Sequence, residues 1–224
     1  MAADTVRPVT APALVALVLA GLLAVGDWYS RWQPPGSASA ARLEYICKPG
    51  TLVALIAAAV LLNPRDGSVR AWFVAALVLS LVGDVLLMLP REQFVGGLAA
   101  FLLAHLCYIA GFVARGLRGL SVAIAAVGTV LVLGEVAIRV LRGVGRNDPA
   151  LRPPVVAYLV VIATMLAVAA ASGNVIAGVA AALFVASDAM IAWSKFVAPF
   201  AAAPVAIMVT YHLAQAGFVL SLLH

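Results

Sequence analysis

Two aspartates lie inside segments that are long and apolar enough to cross a membrane. Asp84 lies in the run 70–89 (RAWFVAALVLSLVGDVLLML), and Asp188 lies in the run 174–193 (NVIAGVAAALFVASDAMIAW). Each comes about five residues before the C-terminal end of its run, or roughly 7–8 Å along a helix that rises about 1.5 Å per residue. A carboxyl group in hydrocarbon is costly, so both should face the interior of a helix bundle. Either could merely hydrogen-bond a neighbouring helix, but two at the same depth favour a function.

The composition is that of a polytopic membrane protein. Of the 224 residues, 65% are hydrophobic and only 10% are charged, with a mean hydropathy of +1.13. The surface of a soluble domain needs more charge. The net charge of +5 comes from arginines between the apolar segments and suits anionic lipid headgroups. Nucleic acid is not an expected partner, because no basic run is interleaved with aromatic residues. Cys47 and Cys107 form neither a disulfide framework nor a CxxC metal motif.

Windows of about 20 apolar residues predict eight transmembrane helices in one integral membrane domain, residues 1–224. The fold class is therefore an all-α membrane bundle. The second span is the shortest, so we expect it to be tilted or half-buried, and we expect the stretch 143–154 to be a connection. The spans are expected at 12–28, 48–62, 70–89, 94–114, 119–138, 154–172, 174–193 and 202–223.

The distribution of basic residues predicts the orientation. We call the membrane face that holds loops 1–2, 3–4, 5–6 and 7–8 the Y side. It carries nine of the fourteen Lys and Arg residues, so the positive-inside rule makes it cytoplasmic and places both termini outside. For a bacterial protein, this means the inner membrane. The nine residues are Arg31, Arg42, Lys48, Arg91, Arg139, Arg142, Arg146, Arg152 and Lys195.

The segments that contain the two aspartates resemble each other. Spans three and seven both run toward the Y side, and in each a small residue precedes the aspartate. The span that follows each of them contains a histidine and a tyrosine. This predicts two parallel four-helix repeats, a construction known from transporters. The paired residues are His105 with Tyr108 and Tyr211 with His212.

Further polar residues fall near the level of the two aspartates. Lipid can accept none of their hydrogen bonds, so we expect one polar pocket that opens toward the Y side. Ser187 is expected to orient Asp188 or its neighbour. The candidate binding residues are Lys48, His105, Tyr108, Tyr158, Ser187, Tyr211 and Gln215.

Several of these residues have a simpler interpretation. Lys48 can extend to the headgroups, and Tyr158 can belong to an aromatic belt. Glu135 and Arg139 form an i, i+4 pair that is typical of a salt bridge at the membrane surface. Tyr211 and His212 point about 100° apart on a helix, so only one can face the pocket well, and we favour Tyr211.

The sequence favours neither a metal site nor a serine nucleophile. Asp84, Asp188, His105 and His212 could together bind zinc, but no HxxxH or HxxE spacing is present. No GxSxG motif surrounds a serine. We therefore expect no metal and no other cofactor.

The polar positions, taken with their flanking residues, resemble the YhhN/TMEM86 family. The resemblance extends from about residue 45 to the C-terminus. Its most specific parts are the two aspartate motifs and the stretch Gly-Leu-x-x-Phe-x-x-x-His-x-x-Tyr. The segments are Lys48-Pro49, SLVGDVLLML (80–89), GGLAAFLLAHLCYIAGF (96–112), Tyr158 with Met165, LFVASDAMIAW (183–193) and Tyr211 with Gln215.

The resemblance implies an eight-helix membrane hydrolase that acts on a lysophospholipid. Characterised animal members of the family are lysoplasmalogenases, which cleave a vinyl ether to a fatty aldehyde and a glycerophospho-alcohol. The vinyl ether of such a lipid lies just beneath the headgroup, close to the depth expected for the two aspartates. Lys48 would then hold the phosphate, while Tyr158, Tyr211 and Gln215 would position the ether or the glycerol hydroxyl.

Paired carboxylates suit this reaction. Protonation of the vinyl-ether β-carbon leaves an oxocarbenium ion, as in glycoside hydrolysis, so one group must be a protonated acid and the other must stabilise positive charge. In a low-dielectric site, one carboxyl can hold its proton while the other stays ionised. We expect Asp188 to be the general acid and Asp84 the stabiliser or water-activating base.

Two alternatives remain open at this stage. One is a transporter of a lysolipid or small solute in which the carboxylates relay protons, which would suit the repeat. The other is a hydrolase of a different lipid bond, such as an ester or an amide.

Overall fold

The computed structural model describes residues 8–34, 36–64, 66–89, 93–117 and 119–224, with the backbone alone at 119–127 and 129–133. The described residues form eight α-helices and two short 3-10 turns and contain no strand. The predicted all-α bundle is confirmed. The helices are α1 (Ala11–Trp32), α2 (Ala38–Leu61), α3 (Gly67–Met88), α4 (Phe94–Arg115), α5 (Gly119–Asn147), α6 (Arg152–Ala171), α7 (Val175–Phe196) and α8 (Ala203–Leu220), with the turns at Pro149–Leu151 and Ser221–Leu223.

Most of these helices have the length and apolarity of membrane spans. Seven satisfy both conditions within the described residues: α1 to α4, α6 with the turn before it, α7, and α8 with the turn after it. The helix α5 has 29 residues, enough to cross a bilayer as well. The protein is therefore an integral membrane protein.

Side-chain caps fix where several helices begin. The hydroxyl of Ser37 accepts a hydrogen bond from the backbone N–H of Ala40 at the start of α2. Asp66 and Asn174 cap α3 and α7 in the same way. Such caps satisfy backbone N–H groups that have no partner within the helix. At the start of α3, hydrogen bonds from the Ser68 hydroxyl and backbone hold the pKa of the Asp66 carboxyl below its usual range.

The helix α2 begins earlier than the sequence predicted. It starts at Ala38 rather than near residue 48 and has 24 residues. The hydropathy window detects only the part within the hydrocarbon, whereas the first turns carry Arg42 and Glu44 at the Y end. Pro49, which resembled a helix start, lies inside the helix.

The helix α5 continues into the stretch that we expected to be a connection. It ends at Asn147, and the turn before α6 follows directly. A Cβ atom at Gly143 would lie 2.0 Å from the carbonyl oxygen of Phe196. Gly143 therefore allows α5 to pack closely against the end of α7, whereas the sequence suggested a turn residue.

Sequence neighbours pack as antiparallel pairs: α1 with α2, α3 with α4, α5 with α6 and α7 with α8. Three further helix pairs close the bundle: α8 with α1, α8 with α2, and α4 with α6. Polar contacts tie the helices together at both ends. At the Y end, Arg31 Nη2 lies 2.8 Å from Glu44 Oε1. At the opposite end, Arg115 Nη2 donates to the Ser221 carbonyl at 3.0 Å. The predicted four-helix repeat stays a prediction.

Candidate functional site

Asp84 is held by a cation and a tyrosine. Its side chain projects from α3 into the bundle and is 2% exposed. Lys48 Nζ lies 3.2 Å from Asp84 Oδ1, and the Tyr211 hydroxyl donates to Asp84 Oδ2 at 2.7 Å. Three helices, α2, α3 and α8, therefore meet at this carboxylate. Both of its oxygens have a donor, so the ionised form is well compensated.

Lys48 occupies a different position from the one its sequence suggested. Its side chain is 7% exposed, and its ammonium group is paired with Asp84 inside the bundle. Both simpler expectations, a headgroup lysine and a phosphate ligand, placed this charge nearer the membrane surface. A lysine in hydrocarbon is stabilised strongly by a buried counter-ion, and Asp84 on the neighbouring helix provides one.

Asp188 has a different set of partners. It projects from α7, and the Tyr158 hydroxyl on α6 donates to its Oδ2 at 2.5 Å. His105 Nε2 on α4 lies 4.0 Å from the same oxygen. Among the described side chains, no Lys or Arg lies within ion-pair distance of Asp188. The side chain keeps 16% of its surface exposed, more than Asp84 does.

The exposed part of Asp188 faces an apolar cavity of about 300 Å³ between α4, α5, α6 and α7. Of the polar residues singled out from the sequence, Asp188 and Tyr158 line it, and Asp84 does not. The other lining residues are Leu87, Phe94, Leu98, Phe101, Gly134, Val136, Ala137, Val140, Val155, Leu159, Ile162, Ala163, Val185, Ala189, Ile191, Ala192 and Phe196.

Aromatic rings separate the two aspartates. Phe101 and Phe184 pack edge to face, with ring centroids 6.2 Å apart. On one side they contact the ring of Tyr211, which binds Asp84. On the other side, the centroid of Phe184 lies 4.7 Å from that of His105. The two carboxyls remain close enough to interact electrostatically. They form two neighbouring sites in one bundle.

Three of the predicted binding residues bond elsewhere. The Tyr108 hydroxyl donates to Gln215 Oε1 at 2.5 Å, and this pair links α4 to α8. The Ser187 hydroxyl donates to the Ile207 carbonyl at 3.1 Å, which joins α7 to α8 and does not contact Asp188. A buried serine can satisfy its hydroxyl on a backbone carbonyl of a neighbouring helix, and here α8 supplies it.

The choice between Tyr211 and His212 follows the direction of their side chains. Tyr211 reaches Asp84, whereas His212 Nδ1 accepts a hydrogen bond from Trp28 Nε1 at 3.1 Å. Trp28 lies on α1, so His212 faces α1. Trp28 therefore has a buried polar partner.

Asp27 is a buried charge that the sequence interpretation missed. It is fully buried, and Arg31 Nε lies 3.6 Å from its Oδ1. Neither of its oxygens has a hydrogen-bond partner among the described residues. It also interacts electrostatically with Lys48 and Asp84. It lies near the end of the expected span 12–28, beside a tryptophan.

The described residues contain no group of three His, Cys, Asp or Glu side chains arranged to hold a metal ion. His105 approaches Asp188, and His212 bonds Trp28 on the other side of the bundle. The four residues considered for zinc therefore belong to different sites.

Comparison with known proteins confirms the resemblance. A model of the YhhN family matches residues 43–222. A lysoplasmalogenase of Mycobacterium bovis is 35% identical over 200 residues, which cover 83% of this chain and 74% of the relative. Lysoplasmalogenase TMEM86B of Homo sapiens is 39% identical over 149 residues, covering 66% and 62%, and that of Rattus norvegicus is 33% identical over 203 residues, covering 90% and 82%. No solved structure matches. The family model covers most of the chain, so this protein belongs to the YhhN family.

Proposed function

We propose that this protein hydrolyses the vinyl-ether bond of lysoplasmalogen and releases a fatty aldehyde and a glycerophospho-alcohol. The relatives named lysoplasmalogenase support the substrate class. The apolar cavity beside a carboxyl group supports the reaction, because a lipid chain and an acid must meet within the membrane. We also propose that the Y side faces the cytoplasm of a bacterial cell.

Asp188 is the general acid in this proposal. The supporting observation is the contrast between the two carboxyls: Asp84 has Lys48 as a counter-ion, whereas Asp188 has no described cation within ion-pair distance and faces the cavity. A carboxyl without a counter-ion in hydrocarbon is most stable when it is protonated. Asp188 therefore holds the proton that the vinyl-ether β-carbon receives.

Asp84 acts as the electrostatic partner. Its negative charge is fixed by Lys48 and Tyr211, and it interacts with Asp188 through the intervening aromatic rings. Proton transfer to the β-carbon creates an oxocarbenium ion next to the new Asp188 carboxylate. A fixed charge that needs no reorganisation can stabilise such an ion.

The lipid is proposed to bind with its alkenyl chain in the apolar cavity and its headgroup at the Y end. Phe94 lines the cavity and also a more polar hollow at the Y end, so the two are adjacent. Lys195 lines this hollow, with its Nζ 4.1 Å from the centroid of the Phe94 ring. Lys195 is exposed at this hollow, whereas the Lys48 side chain is only 7% exposed inside the bundle, so we assign the phosphate contact to Lys195.

The direct test measures aldehyde release by purified protein from a lysoplasmalogen. An ester-linked lysophospholipid with the same chain length is the control substrate, because its hydrolysis gives a fatty acid and no aldehyde. Chelator treatment is expected to leave the rate unchanged. A wild-type protein that releases no aldehyde would rule out the proposal, and proton-coupled lysolipid uptake in its place would support a transporter.

Asn substitution at each aspartate tests the mechanism. Asn keeps the size of the side chain but cannot donate an acidic proton or carry the charge. General acid catalysis is worth about 10²–10⁴-fold, so Asp188→Asn should lose roughly that factor in kcat while still binding lysolipid. Asp84→Asn removes a fixed charge rather than the acid and should lose less. If both variants turn over at the wild-type rate, the two carboxyls are structural.

A further inference from the structure

The tautomer of His105 is set by its backbone contact. The ring is fully buried, and its Nδ1 lies 2.6 Å from the carbonyl oxygen of Phe101, one turn earlier in α4. A carbonyl oxygen only accepts hydrogen bonds, so Nδ1 must carry the hydrogen. In the neutral ring, Nε2 then has a lone pair and can only accept.

That lone pair is directed at the catalytic site. His105 Nε2 is buried without a hydrogen-bond partner among the described residues, and it lies 4.0 Å from Asp188 Oδ2. A buried acceptor that faces an ionised carboxylate oxygen would be both unsatisfied and repelled. A hydrogen between the two atoms removes both costs. The distance is too long for a hydrogen bond as it stands, so a small rotation of the Asp188 side chain must bring the two atoms together.

The surroundings favour the neutral arrangement of this pair. The groups that face Asp188 are Tyr158, which already donates to Oδ2, His105, and Asp84 with Lys48 behind it. An imidazolium paired with a carboxylate would place two further ions in a site walled by the Phe184 ring. Desolvating two ions costs more than burying a neutral acid and a neutral base.

We propose that His105 is a positioning residue for the acid: its Nε2 accepts a hydrogen bond from the protonated carboxyl of Asp188 and keeps the proton there between turnovers. The role rests on the proposed vinyl-ether hydrolysis. In each cycle, Asp188 gives its proton to the β-carbon, and water then attacks the adjacent carbon and passes a proton to the Asp188 carboxylate. This restores the acid and its bond to His105. The hemiacetal finally transfers its hydroxyl proton to the glycerol oxygen as the carbon–oxygen bond breaks.

Infrared spectroscopy of the substrate-free protein in lipid tests this arrangement directly. A protonated carboxyl gives a C=O stretching band that a carboxylate lacks, and subtraction of the Asp188→Asn spectrum assigns it. In His105→Leu the band should move to higher frequency, because the acid loses its acceptor. In His105→Gln the shift should be smaller, since an amide oxygen can still accept.

His212→Leu is the matched control, because His212 is equally buried but bonds Trp28. Its spectrum should keep the Asp188 band in place. Kinetically, His105→Leu should lower kcat by roughly tenfold, the worth of one such hydrogen bond, with little change in KM.

Two results would overturn the inference: a wild-type spectrum without an Asp188 acid band, or a band that neither His105 variant moves. The spectrum needs no turnover, so it is independent of the aldehyde assay. Absence of aldehyde with an unshifted band would reject both proposals. Absence of aldehyde with the expected shift would reject the hydrolase and the catalytic role, and would leave only the proton shared with His105.

Discussion

The two aspartates lie at different distances from the ends of their helices, and their surroundings differ in charge and in access. Asp84 lies four residues before the end of α3 and Asp188 lies eight residues before the end of α7, whereas the same depth was expected for both. Asp84 is enclosed by a lysine and a tyrosine and is 2% exposed. Asp188 has a tyrosine and a histidine as neighbours, is 16% exposed and faces an apolar cavity. The neighbouring helices, rather than the aspartates themselves, make one carboxyl a fixed charge and the other a candidate acid.

The difference arises from what each neighbouring helix contributes. Next to Asp84, α2 supplies Lys48, so the pair carries no net charge inside the bundle. Next to Asp188, α4 supplies His105, whose hydrogen is bound to a backbone carbonyl. Apart from Tyr158, the cavity walls contributed by α5 and α6 are apolar, which suits a lipid chain.

The largest expected effect is a loss of activity at the Asp188 site without a loss of stability. Asp188→Asn should lower kcat by about 10²–10⁴-fold. Its melting temperature in detergent should stay close to that of the wild type, because no buried ion loses its partner. Aldehyde release and thermal unfolding, measured on the same preparation, check this. A large drop in melting temperature would mean that Asp188 is ionised and paired in the folded protein.

Substitutions at the Asp84 site should lower the stability of the fold. Lys48→Met leaves Asp84 as a buried charge without a counter-ion, a change that costs about 3–5 kcal/mol in the free energy of unfolding. The double variant Lys48→Met/Asp84→Asn removes both charges and should recover much of that loss. Denaturant unfolding of Lys48→Met, Asp84→Asn and the double variant gives the interaction free energy between Lys48 and Asp84. Additive losses would show that the ion pair does not stabilise the fold.

The position of the cavity predicts that residues on the Asp188 side set the preference for alkenyl chain length. Ala163→Phe should narrow the cavity and disfavour long alkenyl chains relative to short ones by about tenfold in kcat/KM. Ala186→Phe is the control, because Ala186 lies on α7 but is exposed on the outer surface. An equal effect of the two substitutions would place the chain outside this cavity.

The smallest expected effect distinguishes the two lysines. Lys195→Gln should raise KM by roughly two- to fivefold with kcat unchanged, because an exposed phosphate contact is worth less than about 1 kcal/mol. The effect should shrink as salt is added. Loss of folding with Lys195→Gln, or a change in KM alone with Lys48→Met, would reverse the roles assigned to them.

Much of the site could be predicted because hydrocarbon restricts where polar groups can lie. The inward direction of Asp84 and Asp188 follows from that cost alone. The preference for Tyr211 over His212 follows from the angle between consecutive residues on a helix, and Tyr211 does reach Asp84. The bond from Ser187 to the Ile207 carbonyl could not be predicted, because which backbone carbonyl lies within reach depends on how the helices pack.

Lys48 and Asp27 show where local patterns were misleading. Both lie near the expected end of an apolar run, and such residues usually reach the headgroups. The structure buries both, because α1 and α2 extend beyond the expected runs and pack against each other and against α8. The length of a helix outside the hydrocarbon leaves little trace in hydropathy.

The sequence by itself determined the all-α membrane architecture, the family and the inward-facing carboxyls of Asp84 and Asp188, because length, apolarity and intramembrane charge are local properties. Only the tertiary structure decided that Lys48 pairs with Asp84, that His105 faces Asp188, and that the cavity reaches one aspartate and not the other. These are contacts between helices distant in the chain. They depend on the rotation and spacing of each helix against its neighbours, which packing sets and a single helix does not encode.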